Sequence, residues 1–247
     1  MQSSNPALSA MKNAAGVNFG GLEAGATISG TTTKSILLVA LTLLVGVWSM
    51  NYSISQMVNY GTMPTGLVTI SCILGFIVCL VTCFKPNFAP VTAPVYAVLE
   101  GGALGSISAI FELQFPGIVS TAVMATFTVV LTMLALWKYK VIVPTQKFKA
   151  VITSAIMGIC VLYLLNFILG LFSIHLIPTS GPLSILISVV ICAVAALSLI
   201  LDFEQIQESV DQGLPKHFEF YNAFCLLVTI CWLYIEILKL LAKLREE

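Results

Sequence analysis

The chain reads as an all-α membrane protein of seven transmembrane helices, and three observations predict it. Of its 247 residues, 58% are hydrophobic and only 9% are charged, whereas soluble domains carry roughly 25% charged residues. Seven apolar runs each reach the ~20 residues that a helix needs to cross a hydrocarbon core of ~30 Å. The loops between them alternate between basic and non-basic, as expected where short cytoplasmic loops are enriched in Lys and Arg. Helices rather than strands follow, because hydrocarbon cannot hydrogen-bond the open edges of a sheet.

Residues 1–34 are rich in Gly, Ala, Ser and Thr without a sustained period, which predicts a flexible cytoplasmic tail. Residues 35–247 form one transmembrane domain with no internal repeat, which argues against an inverted-repeat transporter. The first run, Ser35 to Ile54, is too long for a signal-peptide core and ends in Trp48 and Asn51 rather than a small-residue cleavage site. The second run, Gly66 to Phe84, ends at Lys85; the third, Thr92 to Leu113, holds Glu100; the fourth, Ile118 to Trp137, closes in Trp137 and Tyr139. The fifth, Ala150 to Ile174, contains Asn166, which reads as a structural hydrogen-bonder; the sixth, Leu183 to Asp202, ends on an acid; the seventh, Phe220 to Leu241, contains Glu236. Trp48 with Tyr52, Trp137 with Tyr139, and Phe218 with Tyr221 read as interfacial anchors.

Lys12, Lys34, Lys85, Lys138, Lys140, Lys147, Lys149 and Lys216 all fall on one side of this layout, while the loops 55–65, 114–117 and 175–182 hold no lysine or arginine. That places the N-terminus in the cytoplasm. Lys239 at the end of the last run, and Lys243 and Arg245 after it, stand outside in a seven-span chain. A re-entrant last segment is the alternative to seven full spans.

Eleven basic and eleven acidic residues give zero net charge with no basic stripe, so nucleic acid is not an expected partner. All seven cysteines lie in apolar runs without CxxC or zinc-finger spacing and read as small packing residues. His175 and His217 sit in loops on opposite sides, and neither HExxH nor GxSxG occurs, so no enzyme chemistry is expected. Asp202 lacks the Gly-x-Gly-Asp context of an intramembrane aspartyl protease.

Acids at membrane depth are costly and usually face a protein interior, a partner or water. In the last run Asn222, Thr229, Glu236 and Lys243 recur every seven residues and share one helix face. Two readings of Glu236 stand: local pairing with Lys239, or part of a polar path. The sixth run offers Ser188, Ala195, Ser198 and Asp202 as a small and polar stripe, so Asp202 is either interfacial or aimed inward. Glu204 and Glu208 read as a solvated helical extension, and Glu112 as a residue at the outer mouth. In the third run Ala97, Gly101, Gly105 and Ala109 make a small-xxx-small packing face, and Glu100 lies about two turns inside the cytoplasmic end.

The stretches Tyr96 to Gly105 (YAVLEGGALG), Leu199 to Ile206 (LILDFEQI) and Trp232 to Leu241 (WLYIEILKLL), in this order on seven short-looped helices, resemble the Bax inhibitor-1 family. The opening Ser3 to Leu8 (SSNPAL) looks like its bacterial YccA-like branch. The resemblance implies six helices around a central seventh, residence in a bacterial inner membrane, and a pH-sensitive calcium leak with calcium as permeant ion rather than resident cofactor. It carries the regulating carboxyl pair onto Asp202 and Glu236, which as hard oxygen ligands suit transient calcium, and a basic counter-ion onto Lys85. Glu100 joins them as a candidate ion or proton site. The same resemblance allows a non-transporting regulator that binds membrane proteases or cell-death and stress proteins. A shared proton between the two acids would make them one pH-sensing unit. Against contact, a straight hairpin centred on Gly213 sets Asp202 level with about residue 224 and Glu236 about 12 residues, or ~18 Å, deeper.

Overall fold

The structure, a computed structural model, describes residues 25–170, 172, 178 and 181–246. Among these, seven helices are long and apolar enough to cross a membrane: α1 Ile28–Tyr60, α2 Thr65–Phe84, α3 Ala89–Gln114, α4 Ile118–Lys138, α5 Gln146–Gly170, α6 Pro182–Asp211 and α7 Phe218–Glu246, with a 3-10 turn at Pro86–Phe88. The seven-helix expectation holds. Residues 1–24 of the expected tail, and His175, lie outside the described residues.

The start of α1 corrects the sequence-based boundary: residues 28–34, assigned above to the tail, are helical. The run of threonines reads as loop because Thr hydroxyls compete for backbone groups. Here they are absorbed by the helix itself. Thr27 caps it, its Oγ1 accepting from Gly30 N at 2.9 Å, and the hydroxyls of Thr31, Thr32 and Thr33 donate to the carbonyls four residues back. At 33 residues α1 outruns the hydrocarbon core by roughly 20 Å, so both its ends project.

The helix α7 lies between two apolar clusters and belongs to both. Leu226, Leu233 and Leu238 pack with Ile118 of α4 and Leu199 and Phe203 of α6. Phe224 and Leu227 pack with Leu38 of α1 and Tyr96 and Leu104 of α3, the Tyr96 and Phe224 rings meeting edge to face at 5.0 Å. The central last helix thus holds as an arrangement, with α2 on the flank of α3 and α5 on the flank of α6. Ile152 is the one buried residue of α5 among those described.

Close approach of α1 and α3 is the tightest contact in the bundle, and the small-residue face of α3 makes it. Ser49 donates to the Gly102 carbonyl at 2.8 Å and lies 2.9 Å from the Ser106 hydroxyl, which also accepts from Ser53. Thr42 reaches the Ala97 carbonyl. A Cβ at Gly105 would stand 2.2 Å from the Gly46 carbonyl oxygen. This is packing glue of the kind used between helices in lipid.

The last helix is not re-entrant: α7 is unbroken over 29 residues. Its start lies by the start of α1, where Lys34 covers the Phe220 ring at 4.9 Å. At its far end Arg245 donates to the Pro116 carbonyl in the α3–α4 turn at 2.9 Å, and Lys243 reaches the first turns of α6. The basic residues at the C-terminus are therefore held by the opposite face of the bundle from Thr27. A reporter fused after Glu247 is expected to read external and one fused to the N-terminus cytoplasmic; finding both on one side would sink the seven-span topology.

Candidate functional site: the polar seam of α6 and α7

The two seven-residue stripes face each other across the antiparallel α6–α7 pair. Lys243 donates to the Ser188 hydroxyl at 2.8 Å and to the Ser184 carbonyl at 3.3 Å. Fourteen residues back along α7 and fourteen forward along α6, Thr229 is the polar neighbour of Asp202. Near the α6–α7 turn Gln205 donates to Asn222 Oδ1 at 3.3 Å. Interpolation sets Glu236 level with Ala195, one heptad from Asp202.

The carboxyls therefore do not meet. Seven residues separate Thr229 from Glu236, about 10 Å along the axis, less than the straight-hairpin figure because the turn after α6 centres beyond Gly213. Glu236 is 2% exposed and has partners of its own: the Tyr163 hydroxyl of α5 donates to Oε1 at 2.9 Å, and Lys239 lies 3.1 Å from the same oxygen. Lys239 also stands 5.1 Å over the Tyr163 ring. Of the two readings of Glu236, the local pair with Lys239 is the one that forms.

Asp202 is placed differently. Its Oδ2 is sealed from solvent and has no hydrogen-bond partner among the described residues, and the same is true of Asn222 Nδ2. The seam thus carries an unmet acceptor on α6 and an unmet donor on α7, where buried polar atoms are nearly always satisfied. The small-residue stripe of α6 does aim Asp202 inward, while the helix runs on through Glu204 and Glu208 to Asp211. Those two are more than solvated: Glu204 accepts from Trp137 Nε1 at 3.0 Å, and Glu208 pairs with Lys149.

Glu100 belongs to another side of α7. Its polar partner is Tyr96, one turn back on α3, and its field reaches Cys231 of α7 and Cys72 of α2. Cys231 and Thr229 are two residues apart, so Glu100 and Asp202 lie at similar depth on opposite faces of α7. No ion pair reaches either acid among the described residues. Lys85 is exposed, its ammonium 5.9 Å over the Phe88 ring, and stands against neither acid of the expected pair. Among the described residues no three His, Cys, Asp or Glu side chains converge as a metal-binding group.

Three polar roles escaped the sequence reading. Glu219, 2% exposed, pairs with Lys34 and accepts from both the backbone N and the hydroxyl of Thr27 at 2.9 Å. Glu112 accepts from Gly117 N and Val119 N, capping the start of α4 instead of standing idle at the mouth. Tyr234 of α7 shares a 2.6 Å hydrogen bond with Ser108 of α3. Each joins segments too far apart or too short for periodicity to reveal.

No curated protein and no solved structure matches the chain. A family model described as Bax inhibitor 1 like matches residues 3–246. With seven spanning helices packed about α7 and nearly every residue inside that match, the chain belongs to the Bax inhibitor 1 like family.

Proposed function

We propose that the protein is a passive, pH-sensitive calcium leak of a cell membrane, with a cytoplasmic N-terminus, whose ion path follows the α6–α7 seam. The observation that carries this reading is the sealed Asp202 Oδ2, which has no hydrogen-bond partner among the described residues, with the equally unpartnered Asn222 Nδ2 one heptad of α7 below its Thr229 neighbour. A buried carboxylate left short of a partner is completed by a proton or by a cation, and competition between the two links flux to pH. Glu236, with Tyr163 and Lys239 around it, forms a second station toward the other face. Calcium is the transported substrate, taken by oxygen ligands one station at a time; bacterial inner-membrane residence fits the same reading.

The test is calcium flux into liposomes holding the purified protein, measured from pH 6 to 8. Asp202→Asn is expected to flatten the pH dependence, and Glu236→Gln to change the rate while keeping it. Because the acids are about 10 Å apart with different partners, their effects should add on a logarithmic scale within about 0.5 kcal/mol. A double mutant no different from either single mutant would restore one shared proton instead. Wild-type protein that passes no calcium would remove the leak and leave a non-transporting regulator of membrane proteases or stress proteins.

A further inference from the structure

The ring of helices around α7 is open on one side. Between α1 and α4 runs an apolar groove of two joined cavities, about 110 and 470 Å³, which share Val39, Leu43, Phe127 and Ile230 in their walls. Its floor is α7, through residues such as Leu227 and Cys231. These lie two residues either side of Thr229, ~200° round the helix, so the smaller cavity backs onto the face of α7 opposite the polar seam, while the larger one is closed by Leu226 of α7 and by Phe203 and Ile206 of α6. Leu43, Leu131 and Leu134 along its flanks are exposed, and every wall belongs to a membrane-spanning helix.

We propose that this groove binds one acyl chain of an anionic phospholipid, with the headgroup phosphate on Lys138 and Lys140. Depth and chemistry select the occupant. An apolar cavity does not hold water, and at this depth the surrounding solvent is acyl chain, as apolar as the leucines that line the walls. At the cytoplasmic end Trp137 lines the groove, and the next residues, Lys138, Tyr139 and Lys140, are all exposed. That rim offers two cations and two interfacial aromatic rings, the complement of a phosphate headgroup. One such chain completes the packing of α7 on its apolar side.

The experiment is native mass spectrometry of the full chain in detergent, titrated with phosphatidylglycerol and, separately, phosphatidylcholine. Ala40 lines the groove and is exposed, so Ala40→Trp fills it without invading the core; Ile73→Trp, at an exposed site on α2, is the control for a bulky ring elsewhere. Wild-type protein is expected to retain one phosphatidylglycerol, Ala40→Trp to weaken that binding about tenfold, and Ile73→Trp to leave it unchanged. Lys138→Gln with Lys140→Gln should erase the preference for phosphatidylglycerol over phosphatidylcholine. Equal retention by wild type and Ala40→Trp would overturn the proposal, as would equal loss in both Trp variants, which marks unspecific annular lipid. A dimer that disappears in Ala40→Trp would overturn it too, since a second copy would then be the occupant.

Discussion

Gly105→Ala is expected to destabilise the protein by about 3 kcal/mol or more, at the upper end of what overpacking costs. The added methyl would sit 2.2 Å from the Gly46 carbonyl oxygen and 2.9 Å from both the Gly46 carbonyl carbon and the Ser49 Cβ. None of these atoms ends a flexible side chain, so relief requires α1 and α3 to move apart. Separation would also stretch the Ser49 hydrogen bonds to Gly102 and Ser106, and polar groups stranded in an apolar interior add to the cost. Gly158→Ala is the matched control, because a Cβ there meets nothing within 4 Å; alanine's higher helix propensity makes it neutral or stabilising by up to ~1 kcal/mol. Thermal unfolding in detergent, followed by loss of the monodisperse species, reads both. Gly105→Ala melting with the wild type would show that the two helices are not held in this contact.

The same glycines mark where the fold was legible in advance. Small residues every four positions along α3 predict a close helix contact, and lipid gives such contacts their driving force through packing. What the pattern cannot name is the partner, since α1 contributes Gly46, Ser49 and Ser53 within an otherwise ordinary apolar run. The stripes on α6 and α7 were likewise legible as faces. Their register was not: it depends on how residues 212–217 turn, and moving that turn by a few residues changes which acid lies opposite which hydroxyl. Thr229, not Glu236, therefore came to stand beside Asp202. Tyr163 was invisible for a simpler reason. It is one half-buried aromatic on the most lipid-exposed helix, where tyrosine carries no periodic signal, and only the approach of α5 to α6 aims its hydroxyl at Glu236.

Glu219→Ala is expected to cost about 3 to 5 kcal/mol, the range for removing one partner of a buried ion pair. Sequence alone hides this residue, because an acid in the first turn of a helix reads as a favourable charge at the positive end of the dipole. Its main partner is instead Lys34 on α1, 185 positions away, and it also takes the N–H and hydroxyl of the Thr27 cap. Gly30 makes room, since a Cβ there would stand 2.2 to 2.5 Å from the Glu219 carboxyl atoms. The carboxylate thus binds the start of α1 to the start of α7, and its loss strands Lys34, whose side chain is only 17% exposed. Lys34→Met should cost less, because Thr27 still serves the carboxylate. Adding Lys34→Met to Glu219→Gln should recover much of what Glu219→Gln alone loses, since a buried pair replaced as a unit leaves no uncompensated charge. A double-mutant cycle on thermal or denaturant stability measures that coupling. Strict additivity of the two changes would mean that the ion pair forms without holding α1 to α7.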